Sequence, residues 1–258
     1  MNILSLKPVS LPYLGQVCVL LILLATTVQA QPTPKEILER VDANMTIETA
    51  WMQAEMTIQY KEGDARTMEF ESWSVGTNQS FLEFTSPSRE AGSRYLRLDG
   101  NMWIYLPRVG KSVRIQGHML RQGLMGSDFS YGDASDNPSM VDDYDAVIEK
   151  EEIFDDRPTY VLYLTGKKKN LAYPKRRIWV DAERWIPLKE ERFARSGKLL
   201  KTATLGDVRQ IGNRWYPFRT EMDNALQRDT YTTMQMQDIK LNTEVDDKVF
   251  TLRYLESG

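Results

Sequence analysis

Residues 50–60 read AWMQAEMTIQY, and the period of this stretch decides the fold class. Met52, Ala54, Met56, Ile58 and Tyr60 alternate with Trp51, Gln53, Glu55, Thr57 and Gln59. One face is apolar and the other mostly polar, which is the pattern of a β-strand in a sheet wetted on one side. The same period returns at Leu199, Lys201, Ala203 and Leu205, and again at Thr230, Thr232, Met234 and Met236. Turn signals punctuate the chain between these stretches. They run from Glu62-Gly63-Asp64 and Gly76-Thr77-Asn78 to Asp181-Ala182, Ser196-Gly197 and Asp223-Asn224. Asp99-Gly100 and Gly212-Asn213 are the best two-residue hairpin turns. This spacing predicts a mainly β protein with an antiparallel meander of about 11 strands, up to about 13. So many strands accumulate twist and must curl into a single curved sheet.

On the N-terminal side one amphipathic helix is expected. Thr33 is its N-cap, Pro34 its first residue and Glu36 completes a capping box. Ile37, Leu38, Val41 and Met45 share one helical face, and the helix is expected to end near Met45–Ile47. Earlier still, residues 17–25 read VCVLLILLA, an apolar run short for a ~20-residue membrane span. Val28-Gln29-Ala30 fits the small-residue cleavage rule. Residues 1–30 therefore read as a Sec-type signal peptide cut after Ala30, leaving one domain over residues 31–258. Cys18 lies inside the apolar run without a lipobox before it, so lipidation is not expected. It is the chain's one cysteine, so the mature protein is expected to hold together by its core alone.

Between the two strand-rich halves the alternation stops. Residues 104–131 read IYLPRVGKSVRIQGHMLRQGLMGSDFSY. Glycines at 110, 117, 123 and 126 separate large apolar side chains. A long insertion in a compact domain is usually functional or disordered, and this one is too apolar for disorder. It reads as a plug or as a cover over something apolar.

The chemistry the sequence excludes is extensive. There is one histidine, His118, and no HExxH, CxxC, GxSxG, P-loop or EF-hand spacing. No cofactor, no metal and no catalytic residue are expected, and His118 reads as a polar neighbour of the insertion. Asp133, Asp136, Asp142, Asp143 and Asp145 read as an exposed acidic loop. Lys167-Lys168-Lys169 and Lys175-Arg176-Arg177 read as the solvated rim of a hairpin. With a net charge of −3, nucleic-acid binding is not supported. Twelve methionines and recurrent aromatics point instead to apolar contact, because methionine is over-used on surfaces that accept variable apolar partners.

The insertion is similar to the hallmark of the LolA-like family of outer-membrane lipoprotein-sorting proteins. There a Leu-Pro bend and basic residues precede a Phe-Met-Gly-Ser/Thr-Asp-Phe-like core, and Leu106-Pro107-Arg108 and Leu124 to Phe129 stand in those places. Residues 174–208 and 213–222 resemble the same family. Leu124 departs from it, where an aromatic is common, and so does Gly132, where an acidic residue is common. The resemblance implies a half-open β-barrel with a helical or loop lid, serving as a non-enzymatic periplasmic carrier that shields lipid or lipoprotein acyl chains. An inner-membrane transporter of the RND or ABC type is the implied partner, and a monomer is expected. On this reading Met52, Met56, Ile58, Phe70, Phe84, Leu96, Leu98, Trp103 and Ile104 line the cavity. Met119, Leu120, Leu124, Met125 and Phe129 form the lid. The first rival is an RseB-like lipid-sensing regulatory module, which would carry a further C-terminal domain where this chain ends at Gly258. The others are a lipid enzyme, which would need a nucleophile–base pair, and an interaction domain with a solid core.

Overall fold

Thirteen antiparallel strands form one sheet in which the chain starts at the centre. The computed structural model describes residues 31–135, 139–169, 171–227 and 229–257, so the signal peptide and Asp136 lie outside the described residues. Helix α1 (Pro34–Met45) opens the domain with the expected capping box. Glu36 N–H donates to Thr33 Oγ1 at 3.3 Å, and Thr33 N–H donates to Glu36 Oε2 at 2.7 Å. Two of the free amides of the first turn are satisfied in this way.

Strands β1 (Thr49–Tyr60), β2 (Arg66–Val75), β3 (Gln79–Ser86), β4 (Arg94–Leu98), β5 (Asn101–Leu106) and β6 (Lys111–Ile115) then step outward in order. The insertion follows, with α2 (Tyr131–Ser135) and α3 (Met140–Asp143). The chain re-enters the sheet at the opposite edge with β7 (Tyr144–Phe154). It returns through β8 (Arg157–Gly166), β9 (Lys175–Asp181), β10 (Pro187–Phe193), β11 (Leu199–Ile211), β12 (Arg214–Asn224) and β13 (Thr230–Leu241). The last strand pairs with the first, with Met56 opposite Met234 and Ile58 opposite Thr232. The expected curled sheet is present, at the upper end of the expected strand count. The insertion is thus the link between the sheet's two free edges.

Side-chain period divides the sheet into two faces. On the inner face, Ile37, Leu38 and Val41 of α1 are fully buried against Leu162, Leu164, Ile178 and Val180 of β8 and β9. This accounts for half of the inner wall. The carboxylate of Asp42 accepts from the Met140 and Val141 amides and the Ser139 hydroxyl, each at 3.0 Å, which ties α1 to α3. The insertion covers the other half of the inner wall. On the outer face, Phe250 and Leu255 pack on Phe81 and Leu96. They belong to a terminal 3-10 turn (Asp247–Phe250) and α4 (Leu252–Ser257). Glu256 fastens α4 to edge strand β6, accepting from Ser112 N–H at 3.1 Å and Ser112 Oγ at 2.6 Å.

This outer cover corrects part of the expected site. Leu96, Leu98 and Trp103 pack beneath the C-terminal segment, on the face opposite to Phe70 and Ile104. The reason is local. Strands β4 and β5 are covered on both faces, so RYLRL and NMWIYL lack the clean alternation that distinguishes inside from outside.

Candidate functional site: a covered inner face

The insertion folds into two 3-10 turns, Gly117–Arg121 and Leu124–Gly126, and a tight apolar tip. Leu124 N–H donates to the Phe129 carbonyl at 2.7 Å, and Tyr131 N–H to the Gln122 carbonyl at 3.0 Å. These bonds turn the chain back on itself and aim Leu124 and Phe129 at the sheet. Gly123 is required here: a Cβ would lie 2.3 Å from the Ser127 carbonyl oxygen. Met125 sits at φ 52°, a region that side chains with a Cβ rarely adopt. The Arg66 guanidinium donates to its carbonyl oxygen and holds it there. Gly123→Ala is therefore expected to lower the urea midpoint by the cost of overpacking, ~1–3 kcal/mol. Gly206→Ala, with nothing within 4 Å of the added carbon, is the control and should be neutral or slightly stabilising. Equal midpoints for both variants would contradict this account of the tip.

Leu124 and Phe129 are buried in one cluster with Met56, Ile58, Phe70, Phe84 and Ile104, while Met119, Leu120 and Met125 pack half-buried against it. Met52 is half-buried in the same cluster. All five lid positions and six of the nine wall positions thus meet on the inner face. The remaining three are those displaced to the outer face. The packing is incomplete: a cavity of about 410 Å³ remains between the insertion and strands β1–β5. Leu124, Phe129, Phe70 and Leu82 bound its inner end, and exposed Gly76 of the β2–β3 turn lies at the other. A second cleft of about 680 Å³ flanks the insertion on its far side, between Leu120, Leu171 and Leu200, with Arg121 at its rim.

The apolar wall gives way in the second half to a buried ionic network. Arg176, Arg192 and Lys201 are register neighbours on β9, β10 and β11, and all three face inward. Like charges side by side on a sheet repel, so this rung needs counter-charge. Glu190 supplies part of it, 3.0 Å from Arg176 Nη1 and 2.8 Å from Arg192 Nη2. The insertion supplies the rest. Asp133 Oδ1 accepts from Arg192 Nη1 at 2.7 Å and from the Tyr173 hydroxyl at 2.6 Å, and Asp133 Oδ2 accepts from Lys201 Nζ. Ser130 adds its amide and hydroxyl at 2.7 and 2.8 Å. Burial alone would raise the Asp133 acid, but Arg192, then Lys201 and the Tyr173 hydroxyl, outweigh it and hold the carboxyl well below the ordinary range. Burial pulls the Lys201 ammonium below its ordinary value, with Asp133 opposing. Burial works against the Glu190 carboxylate too, yet Arg192 and Arg176 keep its acid below the usual value.

Asp128 makes a parallel anchor to β13 and β11. Thr230 and Thr232 donate to its two carboxylate oxygens at 2.9 and 2.7 Å, and Lys201 Nζ donates to its carbonyl at 2.7 Å. The acidic stretch is therefore not the exposed loop expected from its composition: Asp133 and Asp143 are buried, while Asp142 and Asp145 are exposed. Arg176 likewise leaves the solvated rim expected for it and is 3 % exposed. Each buried charge has a counter-charge: Arg176 faces Glu190, Asp133 faces Arg192 and Lys201, and Asp143 faces Lys168. Among the described residues no group of three His, Cys, Asp or Glu side chains is placed to hold a metal.

The fold and site define a class: an antiparallel β half-barrel whose apolar inner face is covered by one helix and a latched insertion. A family described as "Uncharacterized protein" matches residues 76–257, most of the chain, and the chain belongs to it. Its structural neighbours include LolA-like and lipoprotein-sorting proteins. A LolA superfamily protein from Nitrosomonas europaea is 27% identical over 87% of this chain and 100% of its own, with a TM-score of 0.73. An outer membrane lipoprotein-sorting protein domain from Vibrio parahaemolyticus is 26% identical over 86% of this chain and 98% of its own, with a TM-score of 0.75. A DUF1329 family protein from Desulfovibrio piger shares the fold, with a TM-score of 0.79 at 23% identity over 87% of this chain and 100% of its own. No curated protein matches the chain.

Proposed function

We propose that the protein is a non-enzymatic carrier that shields lipid or lipoprotein acyl chains in the periplasm and receives or delivers them at an inner-membrane transporter of the RND or ABC type. The working unit is the domain over residues 31–258, freed from a signal peptide cut after Ala30. The observation that carries this reading is the cavity between the insertion and β1–β5, apolar at the end under Leu124 and Phe129. A solid-core module would close that space, since protein interiors pack as densely as organic crystals. Each acyl CH₂ moved from water into such a wall is worth roughly 0.8 kcal/mol. Release then depends on the cover's being exchangeable, and flexible Met119 and Met125 at its edge suit repeated opening. Among the described residues no helix is long and apolar enough to cross a membrane. The likeness to a lipoprotein-sorting domain from Vibrio parahaemolyticus supports the same class of cargo.

A fluorescent polyene fatty acid added to delipidated protein is expected to gain emission on binding and to be displaced by long-chain lipids. Native mass spectrometry of protein exported by its own host should show a bound species beginning at Gln31. Failure to bind the probe before and after delipidation, with no co-purifying lipid, would reject the carrier reading.

A further inference from the structure

The cavity is not uniformly apolar, and its polarity is graded in one direction. The register places Ala54, Phe70 and Phe84 on one rung of the inner face. Two residues further along the strands, Met52, Ser72, Leu82 and Tyr95 are neighbours. The next rung is Ala50, Ser74, Ser80 and Arg97. The wall thus passes from two phenylalanines to two serines and an arginine over four residues, ~13 Å along the strands. The apolar end lies under Leu124 and Phe129, and the serine–arginine end faces the exposed β2–β3 turn. Arg97 and Asp133 are the charged residues lining this space. Asp133 is already committed to Arg192 and Lys201. Arg97 is held by the Thr77 carbonyl in the turn, which fixes its guanidinium at the mouth.

Resting on the carrier reading, we propose that the cavity is selective for an amphiphile with an anionic oxygen headgroup, bound in one orientation. The chain lies beneath Leu124 and Phe129 while a carboxylate or phosphate head meets Arg97, with Ser74 and Ser80 as hydroxyl donors beside it. An arginine fork suits such oxygen anions, and its bonds to them are stronger than neutral ones. A head placed at the inner end would lie against Phe70 and Phe84, two strand rungs from the Arg97 guanidinium, and would lose its counter-charge. The volume, about 410 Å³, falls at the low end of small-ligand pockets (~300–1,000 Å³), which suits one chain rather than several.

Two probes and two competitors of equal chain length test this: cis-parinaric acid and its methyl ester as probes, and stearoyl lysophosphatidic acid against stearyl alcohol as competitors. Wild-type protein should bind the acid at least tenfold tighter than the ester, and the phosphate competitor should outperform the alcohol. Acetate and inorganic phosphate at the same concentrations should not compete, which separates a headgroup from a free anion. Arg97→Gln should bring acid and ester to equal affinity with the ester unchanged. Arg97→Lys, which keeps the charge, should retain most of the preference, and the preference should shrink with salt. Equal affinity for acid and ester in the wild type would overturn the proposal and leave the carrier reading standing. So would a preference that survives Arg97→Gln, or one abolished instead by Arg121→Gln at the second cleft. Binding of neither probe would overturn both.

Discussion

Asp133→Asn is expected to be among the most damaging single substitutions in the domain, at a cost of about 3–5 kcal/mol, the usual price of removing one partner from a buried ionic group. The side chain is 4% exposed and faces Arg192, Lys201 and Tyr173. Asparagine keeps the shape and removes the charge, leaving the cationic rung with Glu190 alone. The effect should depend on pH in a defined sense. The folded protein holds this carboxyl below its ordinary value, so the charge stabilises the fold fully above the unfolded value of about 4 and loses that contribution as pH falls toward the folded one. The urea-midpoint gap between wild type and variant should therefore be widest near pH 7 and narrower near pH 3. A gap that is small at neutral pH, or unchanged in acid, would mean that the network does not hold the insertion down.

The double substitution Leu124→Ser, Met125→Ser is expected to weaken probe retention tenfold or more while costing less stability than two full core truncations. Leu124 is 2% exposed, and burying serine there forfeits on the order of 2–5 kcal/mol. Met125 is only half-buried and sits at a backbone angle that serine tolerates at least as well. A cover makes its apolar contacts with the wall and the cargo together, so stability and affinity should fall in concert and saturating lipid should restore part of the midpoint. Severe destabilisation with unchanged affinity in the folded fraction would identify the segment as ordinary core, and the cover reading would fail.

Much of the architecture could be read from the chain because its signals are local. The capping box at Thr33 and Glu36 and the period from Met52 to Tyr60 each require only neighbouring residues, and each corresponds to an element of the structure. The interruption read from Ile104 begins later: β5 runs to Leu106 and Lys111–Ile115 is strand β6, so the strands stop only after Ile115. What remained hidden depends on contacts far apart in sequence. The outward turn of Leu96 and Trp103 follows from a C-terminal segment about 150 residues away, and a doubly covered strand carries no alternation to reveal it. The ionic network did leave a trace. Lys201 occupies the same strand phase as Ala203 and Leu205, so the period alone places a lysine inside. A charge in an inward phase implies a buried partner, but nothing local says that the partner is Asp133, delivered from the insertion.

Because the meander begins at its centre, its two outermost strands, β6 and β7, pair within the sheet only with β5 and β8. The wall of the half-barrel has a natural slit there, spanned only by the chain that covers the inner face. Widening the slit breaks no rung of the sheet. Every interstrand hydrogen bond from Lys111 to Phe154, taken the long way round through the β1–β13 seam, survives the movement. The work of opening falls on what the insertion holds: Asp128 and Asp133, the Arg66 bond to the Met125 carbonyl, the Asp42 bonds to α3 and the apolar side chains on the inner wall. The hydrogen-bonded ladder and the contacts of its cover are in this way separate, so a change to the cover leaves the pairing of the thirteen strands in place.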